Sequence, residues 1–383
     1  MRLKTKLIHH PGGYCEHTGA VNFPIYQVST FKQDGVGQNK GYDYSRTRNP
    51  TRDVLEDYIA SLESGRYGFA FSSGMAAVSS CLMLLKAGDH IIATEGLYGG
   101  TFRVLTRIFE NFDISYSFVD TGDLDAVATA FKENTRAVLI ETPSNPLMRI
   151  TDIRKIAKLA HQRDALVMVD NTFMSPWLQR PLELGADIVI HSATKFLGGH
   201  SDVIAGLVVT DNEPLASQLG HIQNAMGAVP SPFDCWVLMR GMKTLAVRLS
   251  HSQASAQEIA RWLSSRPEVE RVLYPGLDTL ADFEIHRSQA EGPGAILSFV
   301  VKDGVCAESL VSGMSIWTLA VSLGAVESII TLPSKMTHLS YPREELMRLG
   351  IGDNLVRLSV GIEDSGDLIA DLEKALNKVT SRE

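Results

Sequence analysis

Cysteine is scarce. Four residues in 383, at Cys15, Cys81, Cys235 and Cys306, are scattered without a C-x-x-C pair. This argues against a disulfide framework and a cysteine zinc site, and it fits a reducing cytoplasm. Charge is present but nowhere concentrated. Lys and Arg total 36 against 44 Asp and Glu, a net charge of −8 with no block of one sign. Neither nucleic acid nor an anionic membrane is therefore the expected partner. No apolar run approaches a membrane span of about 20 residues. The opening "MRLKTKLIHHPGG" lacks the apolar core of a secretory leader. Repeats, low-complexity segments, G-x-x-x-x-G-K-[ST] and H-E-x-x-H are all missing. "GPGAIL" departs from the dinucleotide fingerprint because Leu297 replaces its last glycine.

The length suits a large α/β domain plus a smaller one. Residues 1–60 show little helical periodicity; "GAVNFPIYQVSTF" and "GYDYSRTRNPT" read as extended or looped. Such an arm is too thin to fold alone, so it is expected to lie against something else, such as another subunit. From 61 to 250, short apolar strands alternate with helices. Met75, Val78, Leu82 and Leu85 mark one amphipathic helix, from "FSSG" to "KAGD"; Ile153, Ile156, Ala157 and Ala160 mark another. "HIIAT", "DISYSFVD", "AVLIE", "ALVMVD", "DIVIHS" and "GLVVT" read as strands, which implies a mostly parallel sheet covered on both faces. From 251 to 383, "SQASAQEIARWL", "VERVLYPG", "AILSFVV" and "NLVRLSVGIED" suggest a smaller α+β domain with a partly antiparallel sheet.

Three apolar strands end in polar residues: "AVLIE" runs into "TPSNP", "ALVMV" into "DNTF" and "DIVIH" into "SATK". Ligands of open α/β sheets sit beyond the carboxyl ends of the strands. Glu141, Asn145, Asp170, Ser192, Thr194 and Lys195 should therefore meet at one rim. Each has a plain alternative: Asp170 as a turn residue, Lys195 as a surface lysine, Ser192 and Thr194 bonded to nearby backbone. His191, His200 and Asp202 have no recognised metal-ligand spacing.

Together the rim residues suit one chemistry. A lysine amine can form a Schiff base with an aldehyde cofactor. Pyridoxal phosphate also needs a carboxylate beside its ring nitrogen, and hydroxyl and backbone N–H groups for its phosphate. Lys195, Asp170, Ser192, Thr194 and the Gly74–Met75 turn of "FSSGMAA" supply all of these. A rival is an α/β-hydrolase. "AFSSG" is one residue from a nucleophile elbow, with Ser72 as nucleophile and His338 as base. It leaves Lys195 and Asp170 unused. A non-catalytic binding protein has no positive feature.

"YDYSRTRNPTRDVLE", "FSSGMAA", "LYGGTFR", "ETPSNP", "VDNTF", "HSATKFLGGHSD", "AVSLGAVES" and "RLSVGIED" occur in that order along the chain. In them the sequence resembles the Cys/Met-metabolism group of pyridoxal-phosphate enzymes: cystathionine γ-synthase, the cystathionine β- and γ-lyases and methionine γ-lyase. The resemblance implies an aspartate-aminotransferase-like (type I) fold and a homotetramer of two tight dimers with shared active sites. It makes Lys195 the cofactor-linked lysine and proton carrier, and Asp170 the partner of the pyridine nitrogen. Gly74, Met75, Ser192 and Thr194 would hold the phosphate, with Tyr44 and Arg46 reaching it from the neighbouring subunit. Tyr98 would stack on the ring and assist proton transfer. Arg357, Asn145 and the backbone near Ser322 would bind the substrate α-carboxylate.

Within the group, methionine γ-lyases carry cysteine where Gly100 stands, which disfavours that activity. Cystathionine γ-lyases and γ-synthases commonly have glutamate at the position of Val321; valine resembles some bacterial β-lyases. Arg103 is available for a distal carboxylate, and His338 is expected near the substrate mouth. The wording is most similar to cystathionine lyases of Gram-positive bacteria. It implies γ-cleavage, β-cleavage or both, with the γ-synthase reaction as the alternative.

Overall fold

Seven strands form the larger sheet: β1 (Tyr67–Phe71), β2 (His90–Thr94), β3 (Ser115–Val119), β4 (Thr135–Glu141), β5 (Leu166–Asp170), β6 (Ile188–Ser192) and β7 (Gly206–Thr210). Their order is β1-β7-β6-β5-β4-β2-β3, and only β7 runs against its neighbours. This is a computed structural model, and it describes residues 1–10 and 12–380. No helix among the described residues is long and apolar enough to cross a membrane.

Strand alternation divides the core. Leu139, Met168 and Ile190 pack on one face with Ala77, Val78 and Cys81 of the helix Gly74–Leu82. Val138, Ile140, Val167 and Val169 face the helix Ile153–His161, whose buried residues are Ile153, Ile156, Ala157 and Ala160. Each such isoleucine, fully buried, contributes roughly 1.5–3 kcal/mol. The helix after "FSSG" ends at Leu82, short of "KAGD". Leu84 and Leu85 follow in turns closed on the carbonyls of Cys81 and Leu82.

The smaller sheet comprises β8 (Val269–Leu273), β9 (Ile296–Val301), β10 (Thr318–Leu319), β11 (Ile329–Thr331) and β12 (Leu355–Ser359). Its order is β10-β11-β12-β9-β8, antiparallel except for β10 with β11. The helix Leu245–Ser264 joins the two cores. Leu245, Ala246 and Leu249 pack into the first, and Ala256, Ile259, Ala260 and Leu263 into the second. The division expected at 250 thus falls inside one continuous helix.

The segment expected to be looped contains a 13-residue helix, Pro50–Leu62. Asn49 caps it and Pro50 starts it, with Val54, Leu55, Tyr58, Ile59 and Leu62 buried. The spacing was legible. The Arg-Asn-Pro-Thr-Arg stretch that spans its start, residues 48–52, obscured the boundary.

Candidate active site

The carboxyl ends of β4, β5 and β6 open into a cavity of about 310 Å³. Glu141 and Asn145, Asp170, and Ser192, Thr194 and Lys195 all line it, as the strand-end pattern predicted. The parallel register sets Glu141 beside Asp170. The helix Gly74–Leu82 begins at the same wall, with Ser73, Gly74 and Met75 facing the space. Ser73 Oγ accepts from Ala76 N–H at 3.1 Å, leaving the earlier first-turn amides without that cap. The smaller sheet's side contributes Val321, Ser322 and Arg357.

Lys195 Nζ donates to Ser322 Oγ at 2.6 Å. Burial, with the Arg357 charge second, lowers its pKa to about 8. Ser322 has φ of +88°. A left-handed serine costs on the order of 1–3 kcal/mol. The strained turn aims its hydroxyl at Lys195 while its carbonyl accepts from Arg357 at 2.7 Å. Arg357, on β12 and 1% exposed, also donates to Asn145 Oδ1 at 2.9 Å and Thr331 Oγ1 at 3.3 Å. All these acceptors are neutral, and its buried Nε has no hydrogen-bond partner. Burial lowers its pKa to about 10.

Asp170 Oδ1 accepts from Thr172 N–H at 3.0 Å, and desolvation raises the carboxyl's pKa. Glu141 accepts from the backbone N–H of Tyr98 at 2.9 Å and of Asn145 at 2.8 Å. Burial, then the Asp170 charge, lifts it to about 8. A Cβ on Gly74 would lie 2.8 Å from Ser192 Cβ and Oγ. Only glycine lets the helix start this close to β6.

Compared with known proteins, residues 4–377 match the family described as Cys/Met metabolism PLP-dependent enzyme. The chain belongs to this family. A cystathionine beta-lyase of Lactococcus lactis subsp. cremoris (strain MG1363) is 50% identical over 376 residues, 98% of this chain and 99% of that one. A cystathionine gamma-lyase of Bacillus subtilis (strain 168) is 48% identical over 381 residues, 99% of this chain and 100% of that one. The crystal structure of cystathionine gamma-lyase from Lactobacillus plantarum complexed with L-serine superposes with a TM-score of 0.98. Its identity is 48%, over 99% of this chain and 100% of that one. The type I fold expected from the resemblance is thereby the observed one, and pyridoxal phosphate is the family's cofactor.

The cavity fits that group. Asp170 is a desolvated carboxyl whose hydrogen bonds come from the neutral amide and hydroxyl of Thr172, and a protonated ring nitrogen would supply a paired cation. Lys195 has an amine of lowered basicity in the same cavity. The glycine-cradled helix start, with Ser192 and Thr194, suits a phosphate. Tyr98 also lines the wall, pinned through its backbone by Glu141. Thr172 escaped the sequence reading. Its N–H bonds Asp170 and its hydroxyl accepts from Ser192 N–H at 2.8 Å, tying two residues of the cavity wall together. Its position two residues after Asp170 in "VDNTF", an Asx-turn spacing, was the available signal.

Other expected residues lie elsewhere. His338 is not at the mouth. It is wholly buried, with Nε2 3.1 Å from the Asn145 carbonyl and Nδ1 3.0 Å from Thr337 Oγ1. Burial lowers its pKa to about 4, so Nε2–H donates as a neutral ring. It backs the wall by holding Asn145. Arg103 stays outside the cavity, exposed and bonded to Ser340 Oγ at 3.1 Å. Tyr44 and Arg46 are exposed and do not line this subunit's cavity. Ser72 does not line it either, and its proposed base His338 is occupied with Asn145, so the hydrolase alternative has no dyad. His191 bonds Glu63 at 2.6 Å and His200 bonds its own loop at Gly198, so the two do not converge.

Proposed function

We propose that this chain is a carbon–sulfur lyase acting on L-cystathionine. Each cleavage consumes one water: β-cleavage yields homocysteine, pyruvate and ammonia, and γ-cleavage yields cysteine, 2-oxobutanoate and ammonia. The observation that carries an amino-acid substrate is Arg357. A buried guanidinium satisfied only by neutral acceptors, in the same cavity as Lys195, is a seat for an α-carboxylate. The sulfur chemistry and cystathionine itself are supported by the relatives' names.

When bound, the cofactor supplies an electron sink for charge left at the substrate α-carbon. Lys195 Nζ would take the α-proton; a pKa near 8 keeps a useful fraction of the amine neutral. Ser322 Oγ gives the amine a resting partner. Tyr98, which lines the cavity wall, would relay a proton towards the departing sulfur. β-Elimination needs only the first deprotonation. γ-Elimination needs a second, at the β-carbon, which the flexible lysine arm can reach.

Val321 is 60% exposed and borders the cavity. It offers the distal ammonium no carboxylate, which favours substantial β-cleavage. Incubation with cystathionine tests this: pyruvate plus homocysteine is expected, and 2-oxobutanoate alone would refute it. Turnover only with an acylated homoserine plus cysteine would establish the synthase reaction instead.

We further infer a cytoplasmic homotetramer, a dimer of dimers, in which the arm carries Tyr44 and Arg46 to a neighbour's phosphate. Their exposure, together with exposed Val21, Ile25, Tyr26 and Val28 on the same arm, supports this reading. The proposed organisation is an arm over 1–60, a cofactor domain over 61–250 and a small domain over 251–383. Sedimentation of the holoenzyme tests the assembly.

A further inference from the structure

The first turn of the helix Pro50–Leu62 buries more polarity than a helix start needs. Asn49 is 1% exposed, Thr51 0% and Arg52 2%. Burying a guanidinium is costly unless its donors are satisfied. Arg52 satisfies most of its donors on one short loop. NH1 donates to the Ser45 carbonyl at 2.7 Å, and NH2 to those of Thr47 at 2.7 Å and Arg46 at 3.2 Å. Its Nε lies 3.4 Å from Glu56 Oε1, an ion pair without hydrogen-bond geometry. Three successive carbonyls thus converge on one planar fork, a geometry an ammonium cannot reproduce. Asn49 Nδ2 adds bonds to Ser45 Oγ at 3.0 Å and the Tyr26 carbonyl at 2.9 Å.

The outward side of this braced loop is the opposite case. Tyr44 is 45% exposed and Arg46 is exposed, and the Arg46 guanidinium lies 5.6 Å from the Tyr44 ring centroid. Among the described residues, neither the Tyr44 hydroxyl nor the Arg46 guanidinium has a hydrogen bond within the subunit. The backbone is held rigidly while its two recognition groups are left open.

We propose that Arg52 and Asn49 are positioning residues. They hold the Tyr44–Thr47 backbone in the shape in which Tyr44 and Arg46 grip the cofactor phosphate of a neighbouring subunit. This rests on the shared-site reading above. Rigidity fixed in advance reduces the ordering cost of that grip.

The test is a double-mutant cycle on the assembled protein, reading the pyridoxal phosphate dissociation constant by cofactor absorbance. Sedimentation confirms assembly. Arg46→Ala and Arg52→Lys should each raise the constant about tenfold or more. The combination should fall short of the sum of the two effects, because Arg46 no longer needs the brace while Tyr44 still does. Hydrogen exchange of the 44–47 amides should quicken in Arg52→Lys. An unchanged constant in Arg52→Lys while Arg46→Ala weakens binding would overturn the inference, as would full additivity. An unchanged constant in Arg46→Ala would instead refute the shared-site reading. If Arg52→Lys does not assemble, Asn49→Ser takes its place in the same cycle, because serine keeps the helix cap and loses the brace.

Discussion

Lys195 Nζ rests 2.6 Å from Ser322 Oγ, across 127 residues of sequence. The bond joins the end of a parallel strand in the large sheet to a strained turn beside the smaller one. It gives the lysine a place to wait that is neither solvent nor a carboxylate. An amine bonded to a hydroxyl keeps a lowered pKa, whereas a carboxylate partner would raise it.

Lys195→Ala should fold and lose about a thousandfold or more in turnover, since it removes both tether and base. Steady-state assay of the cofactor-saturated variant measures this, with circular dichroism as the folding control. Substantial residual activity would contradict the assignment.

The pKa of about 8 predicts how the tether forms with pH. Only the neutral amine attacks an aldehyde. The rate at which unliganded protein takes up pyridoxal phosphate covalently should therefore rise with pH, with a midpoint near that value. Stopped-flow absorbance would follow it. A rise delayed until the ordinary lysine range would show that burial does not act on this amine.

Asp170→Asn separates the unliganded from the loaded protein. Burial raises this carboxyl, so its ionised form costs the unliganded fold stability, increasingly as pH rises past its ordinary range. The variant's unliganded melting temperature should be equal or higher at neutral pH. The increase on adding pyridoxal phosphate should shrink, because the cation's partner is gone. Thermal denaturation with and without cofactor tests both halves.

Val321→Glu should shift cystathionine products towards 2-oxobutanoate and cysteine. The side chain is exposed, so glutamate fits without repacking. Paired assays for the two oxo acids give the ratio; an unchanged ratio would remove Val321 as a determinant.

His338→Ala should raise the substrate KM severalfold and leave the product ratio alone. The Asn145 carbonyl loses its donor, and Asn145 in turn braces Arg357. A variant with unchanged KM would show that the wall holds without it.

The rim of the site was legible because it follows from a local rule repeated three times. An apolar strand ends and a polar residue follows. In β4, β5 and β6 these ends are adjacent in the sheet, so Glu141, Asp170 and Lys195 converge. For Thr172 the Asx-turn spacing in "VDNTF" marks only its bond to Asp170; its second bond, to Ser192 at the end of the neighbouring strand, leaves no mark in that segment. His338 was misplaced for the same kind of reason. A histidine in "KMTHLS" has no local mark that separates a wall from a mouth.

What the sequence by itself determined is the alternation of strands and helices, the family, and the gathering of a lysine, a carboxylate and a glycine turn at one rim. These depend on neighbours a few residues apart, where periodicity and residue chemistry act directly. The tertiary structure decided what depends on distant partners. Ser322 is bent towards Lys195, Arg357 is hydrogen-bonded only to neutral acceptors, and His338 is sealed behind Asn145. Burial and charge pairing are properties of the packed whole, since each sets a group's energy through atoms that the chain supplies from far away.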